Sequence, residues 1–237
     1  MRTDFHSHIL PCMDDGAQSA EEAVKMLALL KASGVDRVVL TPHFYRQKEN
    51  IRSFLSRRKY SLEMLQRSLS DSSFSDMILG AEVFFYPSLA EDPDLGRLCI
   101  EGTDFILLEL PFERFYDNFY AQFMSFVNKC SHRIILAHAE RYLSFGNTVQ
   151  DIERLCSFGS IICQMNCDSI SEAGFFSRRR LLGMIDSGIA GVLGSDAHDL
   201  INRPPRFSEA ERIIRKKSGD DAFERLCRIG DDILSGQ

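Results

Sequence analysis

The chain has 237 residues, 44% apolar and 26% charged, with a formal charge of −6. These values describe a globular protein with enough interior for a core, and the acidic balance argues against a general nucleic-acid binder. No run approaches the roughly 18 apolar residues of a membrane span, and the N-terminus enters a strand without a basic leader. The seven cysteines are an odd number without framework spacing, so they read as reduced thiols and the protein is expected to be cytoplasmic.

Taken in chain order, apolar runs at 3–9, 37–41, 77–83, 105–110, 133–137, 160–165 and 190–193 predict seven strands, most of them separated by helical patterns. The first crossover is the clearest. Ser19 caps, Glu22 follows three residues on, Ala23, Leu27 and Leu30 form an apolar stripe, and Gly34 stops the helix. The longer segment 44–76 is helical in its middle, carries Arg46, Lys48, Arg52, Arg57, Arg58 and Lys59, and ends in a Ser/Asp-rich stretch at 68–76. Those cations read either as a solvated helix face or as a rim that attracts an acidic substrate, and Arg178, Arg179 and Arg180 read the same two ways. Strands alternating with helices imply a parallel sheet, and near-continuous apolar strands imply burial on both faces. The expectation is one α/β barrel domain over residues 1–237.

Polar residues at the downstream ends of these runs carry the chemistry. His6 and His8 are one residue apart, so a regular strand points both the same way. His43 follows the second run, Glu82 lies at the end of the third, Glu109 ends the fourth, His138 ends the fifth, and Asp196 and His198 follow the last. A parallel barrel gathers such ends on one rim. Mixed imidazole and carboxylate donors suit Mn, Zn or Fe and can hold more than one ion. Asp14-Asp15-Gly16 reads both as a turn into the first helix and as the source of one ligand, Asp15. The sixth run has no charged candidate, and Asn166 and Asp168 after it are expected to line the mouth without binding metal. Glu101 and Asp104 precede the fourth run and face the opposite end. Cys163 and Cys167 read as small buried residues rather than a metal pair, and Cys12 as packing. None of the seven cysteines has arginine six positions later, so the Cys-x5-Arg loop of phosphocysteine phosphatases has no counterpart.

The series His6-Ser7-His8, Asp14-Asp15-Gly16, Thr41-Pro42-His43, Gly80-Ala81-Glu82, Glu109, His138-Ala139-Glu140-Arg141-Tyr142, Ser195-Asp196-Ala197-His198 and Arg203-Pro204-Pro205 resembles the PHP (polymerase and histidinol phosphatase) superfamily. Within it the chain is most similar to the bacterial PHP-type protein-tyrosine phosphatases of capsule and exopolysaccharide synthesis. That resemblance implies a distorted seven-stranded (β/α)7 barrel and up to three divalent metal ions, Mn favoured, with Fe and Zn as alternatives. It implies the ligand set His6, His8, Asp15, His43, Glu82, Glu109, His138, Asp196 and His198, with Glu82 or Asp196 suited to bridging. The implied reaction is attack of a metal-activated water on phosphotyrosine in a protein, a bacterial tyrosine kinase being one candidate partner. Arg141 is the first choice for a phosphate contact because its planar fork matches two phosphate oxygens; Arg203 is second and Arg206 third. His198 or a water would protonate the phenolate. Two positions depart from the family pattern: Asp199 where asparagine is frequent, and Pro11-Cys12-Met13 where another acid is common.

Three other readings compete. A histidinol-phosphate or other small phosphomonoester phosphatase would use the same scaffold with a closed pocket. A noncatalytic metal-binding regulatory scaffold predicts metal-dependent stability without turnover. An amidohydrolase also begins with His-x-His, but it usually bridges its metals with a lysine at the fourth strand, where this chain has Glu109. No motif specifies an oligomeric state.

Overall fold

Apart from residues 70–75 and 237, which lie outside the described part of the chain, every segment has a defined place in the computed structural model. The described strands are β1 (Thr3–Asp4), β2 (Arg37–Leu40), β3 (His43–Phe44), β4 (Met77–Leu79), β5 (Glu82–Phe84), β6 (Phe105–Glu109), β7 (Arg133–Leu136), β8 (Ile161–Asn166) and β9 (Ala190–Gly194). All pair in parallel, in the orders β1-β2-β4 and β3-β5-β6-β7-β8-β9. Seven predicted runs thus become seven staves, two of them broken. Pro42 brings no N–H to the ladder, so the second stave changes sheet between β2 and β3. The third breaks at Gly80-Ala81, where the Gly80 N–H donates to Leu40 O and the Glu82 N–H donates to Pro42 O. The first run is strand only at Thr3–Asp4, with a further parallel bridge from Ser7 to Ala197.

The two sheet edges join through β1 and β9. Phe5 N–H donates to Leu193 O at 3.0 Å, and Asp196 N–H donates to His6 O at 2.7 Å. The result is the distorted seven-stave parallel barrel expected from the sequence. Alternation along each strand divides the core in two. Phe5, Val39, Phe105, Leu107, Ile135 and Val192 fill the interior with Ile100 and Ile233, whereas Val38, Leu40, Ile106, Leu108, Ile134, Leu136 and Leu193 face the helices.

Those helices include α1 (Ala20–Ala32), α2 (Ile51–Ser68), α3 (Asp117–Lys129), α4 (Val149–Cys156), α5 (Cys167–Glu172), α6 (Phe175–Asp186), α7 (Phe207–Ser218) and α8 (Asp220–Ser235). Ser19 caps α1 by accepting from the Glu22 N–H, and Gly34 after it has φ +79°, as read from the sequence. The cations of 46–59 do not all follow the two expectations, because one of them is neither solvated nor on the rim. Arg58 is buried and donates to Gly80 O, its pKa pulled down to about 10 by burial, while Arg57 donates to Met13 O beside the acidic loop. Arg178 bonds the carbonyls of Ile170 and Ser171 at the end of α5. Asp104 pairs with Arg133 at the start of β7, at the opposite end from the mouth. Among the described residues no helix is long and apolar enough to cross a membrane.

Candidate metal centre

Parallel staves bring all nine sequence-predicted donors to the downstream end of the barrel. His8, Asp15, His43 and His198 form one group; His6, His8 and Asp196 a second; His6, Glu82 and His138 a third; His43, Glu82 and Glu109 a fourth. Within each group the ligand atoms lie within 4.8 Å of one another. Glu82 is central. Its Oε2 is 2.7 Å from His43 Nδ1 and 3.3 Å from both His6 Nε2 and His8 Nε2, and its Oε1 is 2.8 Å from His138 Nε2. Asp196 Oδ1 lies 3.5 Å from His6 Nε2 and 3.4 Å from His8 Nε2. Only Asp15, 69% exposed, reaches in from solvent, 3.4 Å from His43 and 3.6 Å from His198. Two donors sit on left-handed backbone, His138 at φ 32° and Asp196 at φ 50°, a conformation that side-chain-bearing residues hold only when their surroundings impose it.

Partners behind the imidazoles set which nitrogen faces inward. His6 Nδ1 pairs with Gln164 Oε1 at 3.0 Å, His8 Nδ1 with Asp14 Oδ2 at 2.8 Å, and His198 Nδ1 with the Asp196 carbonyl at 2.9 Å. Each of those oxygens only accepts, so Nδ1 carries the proton and Nε2 turns a lone pair inward, as metal-ligating histidines do. Gln164 Oε1 also accepts from His138 N–H at 2.7 Å and its amide donates to Asn166 Oδ1; Asn166 in turn donates to Asp196 Oδ2 at 2.8 Å. Asp4 Oδ1 accepts from the backbone of His6 and Ser195, and burial pushes its pKa up to about 6.

Sequence reasoning missed the roles of Gln164, Asp14 and Asp4. For Gln164 the signal was present: a polar residue inside the apolar run 160–165 must have a buried partner. In the sequence alone Asp14 reads as part of a turn.

The donor set fits divalent cations. His6 and His8 aim their Nε2 atoms at each other at 3.0 Å, a contact that neutral imidazoles with these tautomers can make only as two opposed lone pairs. Glu109 Oε2, His138 Nδ1 and His198 Nε2 are buried without a hydrogen-bond partner, and such orphans are costly unless something positive meets them. Electrostatics point the same way. Burial opposes a charge on His6, yet Glu82 and Asp196 raise its pKa to about 9. Burial, with the Glu82 charge added, pushes Glu109 up to about 8. Burial and His8 pull His198 down to about 4.

Beside this cluster Arg203 Nη2 lies 2.5 Å and Arg141 Nη1 3.5 Å from Asp196 Oδ2, with side chains 34% and 41% exposed. Arg141 also stacks over Phe112, 4.6 Å from the ring centroid. Arg206 is turned away, bound to Glu172 at 3.0 Å and Glu209 at 3.3 Å. Asp199 accepts from the N–H groups of Ile201, Asn202 and Arg203, so it shapes the loop that carries Arg203. Cys163 and Cys167 are buried outside the donor groups as expected, whereas Cys12, expected to pack, is instead exposed on its loop with Sγ donating to Gln18 O.

Comparison with known proteins places this geometry. The family model described as capsular polysaccharide synthesis, CpsB/CapC, matches residues 2–233. Tyrosine-protein phosphatase CpsB of Streptococcus pneumoniae is 27% identical over 233 residues, covering 94% of this chain and 93% of that one. Putative tyrosine-protein phosphatase CapC of Staphylococcus aureus is 29% identical over 247 residues, covering 99% and 91%. A crystal structure from work on YwqE of Bacillus subtilis and CpsB of S. pneumoniae, described as unique metal-dependent tyrosine phosphatases, superposes with a TM-score of 0.80 at 22% identity, covering 99% of this chain and 95% of that one. With its match running nearly end to end, the chain belongs to the CpsB/CapC family of capsular polysaccharide synthesis.

Proposed function

We propose that this protein is a metal-dependent protein-tyrosine phosphatase acting in the control of capsule or exopolysaccharide synthesis. The observation that carries the reading is the convergence of nine imidazole and carboxylate donors around Glu82, with two half-exposed arginines meeting on the adjoining Asp196. The names of the relatives support the substrate class. His6, His8, Asp15, His43, Glu82, Glu109, His138, Asp196 and His198 would hold up to three divalent ions, Mn favoured by the mixed nitrogen and oxygen donors, with Fe and Zn as alternatives. Such ions supply a water nucleophile at neutral pH and offset charge on the phosphoryl oxygens.

The chain's own residues do the rest. Arg141 and Arg203 present forked N–H groups to the open mouth and would hold two phosphoryl oxygens, orienting phosphorus for in-line attack. Asp196, hydrogen-bonded by Asn166, keeps both arginines on that side. His198 has its Nδ1 proton committed to a backbone carbonyl and its Nε2 bare beside Asp15, so it serves as a ligand rather than as the acid. Phenolate is a good enough leaving group to take its proton from solvent at the open mouth. The substrate would be a phosphotyrosine protein, with a bacterial tyrosine kinase as a candidate, met in the cytoplasm by a single domain spanning residues 1–237.

The test is turnover of a phosphotyrosine peptide beside histidinol phosphate by protein reconstituted with Mn, Fe or Zn, with bound metal counted. Chelator-sensitive release of phosphate from the peptide in preference to histidinol phosphate is expected. The opposite preference would move the protein to the small-molecule branch, and metal-dependent stability without turnover would make it a scaffold.

A further inference from the structure

Beyond Asp15 the barrel mouth opens into a trough of about 610 Å³, whose walls include Asp15, His43, Tyr45, Lys48, Glu49 and Arg57. Most of its charges are already engaged. Asp14, also in the wall, is bound to His8 and to the His43 N–H. Arg57 donates to Met13 O at 2.8 Å and lies 3.3 Å from Glu49. Asp15 faces His43 and His198. Lys48 differs: its ammonium stands 4.3 Å from the centroid of the Tyr45 ring and pairs with no carboxylate among the described residues. Tyr45 spans the interval, with its hydroxyl 3.3 Å from His43 Nδ1 and its ring 5.6 Å from that of Phe84. One aromatic wall therefore runs from the metal-ligand candidates to a cation that stacks on it and pairs with no carboxylate among the described residues, and the two phosphate-binding candidates, Arg141 and Arg203, are not among the trough's lining.

We propose that this trough reads a residue flanking the phosphotyrosine, and that Lys48 selects an aspartate or glutamate there. The inference rests on the phosphatase reading and adds a specificity determinant to it. A phosphotyrosine seated at the mouth belongs to a chain whose next residues follow at about 3.4 Å each, so a neighbour must lie along one wall of the opening. A carboxylate in the trough gains an ammonium that pairs with no carboxylate among the described residues. A lysine or arginine in the same place meets like charge. The pair stays solvated, so its effect is modest, about two- to fivefold in affinity, and screened by salt.

The experiment uses the metal-loaded full chain and phosphotyrosine peptides that differ only in carrying Glu, Gln or Lys beside the phosphotyrosine, on either side in turn. Turnover is measured, and so is binding of the matching peptides with a non-hydrolysable phosphonate. In the unmodified protein the Glu peptide should show KM and Kd about two- to fivefold below the Gln peptide on one side, with kcat unchanged, and the preference should fade by about 0.5 M salt. Lys48→Gln should erase it and Lys48→Glu should reverse it toward the Lys peptide. Hydrolysis of p-nitrophenyl phosphate, which has no flank, should be equal in all three proteins. Equal binding of the three peptides by the unmodified protein, which needs no variant to fold, would overturn the proposal, as would a preference that survives Lys48→Glu. Failure of the loaded protein to hydrolyse either p-nitrophenyl phosphate or the peptides would sink the phosphatase reading instead, and phosphonate binding would still decide the role of Lys48.

Discussion

Asp14 accepts from His8 Nδ1 and from His43 N–H through one oxygen, each at 2.8 Å, and from Gly16 N–H at 2.9 Å through the other. It thereby fixes the tautomer of one ligand candidate and the backbone of another without facing the centre itself. Asp14→Ala should weaken metal binding about 10- to 100-fold, the usual cost of losing an outer-shell partner; a chelator-competition titration with unchanged affinity would remove it from that role. Arg141 predicts the converse. Losing a charge-assisted hydrogen bond to phosphate costs about 1.5–3 kcal/mol, so Arg141→Ala should bind metal normally while kcat/KM on a phosphotyrosine peptide falls about 10- to 100-fold. Eight of the nine positions that meet at the mouth were legible in the sequence because histidines and acids at the ends of apolar runs are conspicuous, and Asp15 was legible from its turn. Asp14 and Asp4 were not, because what defines them is the partner rather than the residue type, and Gln164 stood out as polar in an apolar run without showing which partner it meets. Asp14 beside Asp15 looks like half of a turn until His8 is seen behind it.

At the scale of elements, the sequence carried the strand count and direction but not the breaks. Apolar continuity from 77 to 83 reads as one strand, yet at Gly80 a Cβ would lie 3.1 Å from Thr41 Cγ2 and 3.2 Å from Val39 Cγ1, so a side chain there would press its neighbours aside by a few tenths of an ångström. Helix α1 was fully legible because its cap, stripe and stop are all local. One tight contact in the barrel is non-local. A Cβ on Gly194, at the end of β9, would stand 2.5 Å from His6 Cβ and 2.7 Å from Gln164 Nε2. Gly194→Ala must therefore push β9 from β1 or displace Gln164 from His6, and it should cost about 1–3 kcal/mol of stability together with metal affinity. Gly183, inside α6, has nothing within 4 Å of an added Cβ. There the same change should stabilise by about 0.5–1 kcal/mol through helix propensity. Denaturant titration of both variants against the unmodified protein checks the pair, and equal effects of one sign would refute the packing argument.

For the whole molecule, the question is what keeps seven staves closed when β1 is only two residues long. One answer lies at the mouth. Donors from β3, β5 and β6 meet those that follow β1, β7 and β9, so bound cations would join staves that are not all neighbours. At 100 times Kd a ligand adds about 2.7 kcal/mol, which for a chain of this length corresponds to roughly 5–10 °C in Tm. Chelation should lower the melting temperature by that amount, and metal should restore it. The other answer lies at the opposite end, where α8 puts Ile233 into the barrel interior and Asp231 beside Arg37 of β2 and the Met1 ammonium. Partial burial works against the Asp231 carboxylate, but hydrogen bonds to that ammonium and to Arg37 overcome it and hold its pKa below the ordinary value. A lowered carboxylate pKa means stability that is fully present above the unfolded value of about 3.9 and lost as pH falls through the folded one. The clamp is 41% exposed on the Asp231 side and screened by solvent, so it contributes at most about 1 kcal/mol. Asp231→Asn should therefore melt below the unmodified protein at pH 7 and low salt, and the two curves should converge toward pH 3 or in 0.5 M salt. Both measurements belong on chelated protein, so that protonation of the metal-ligand candidates affects the two proteins alike. A gap that persists unchanged at acid pH would mean that Asp231 acts through packing rather than charge.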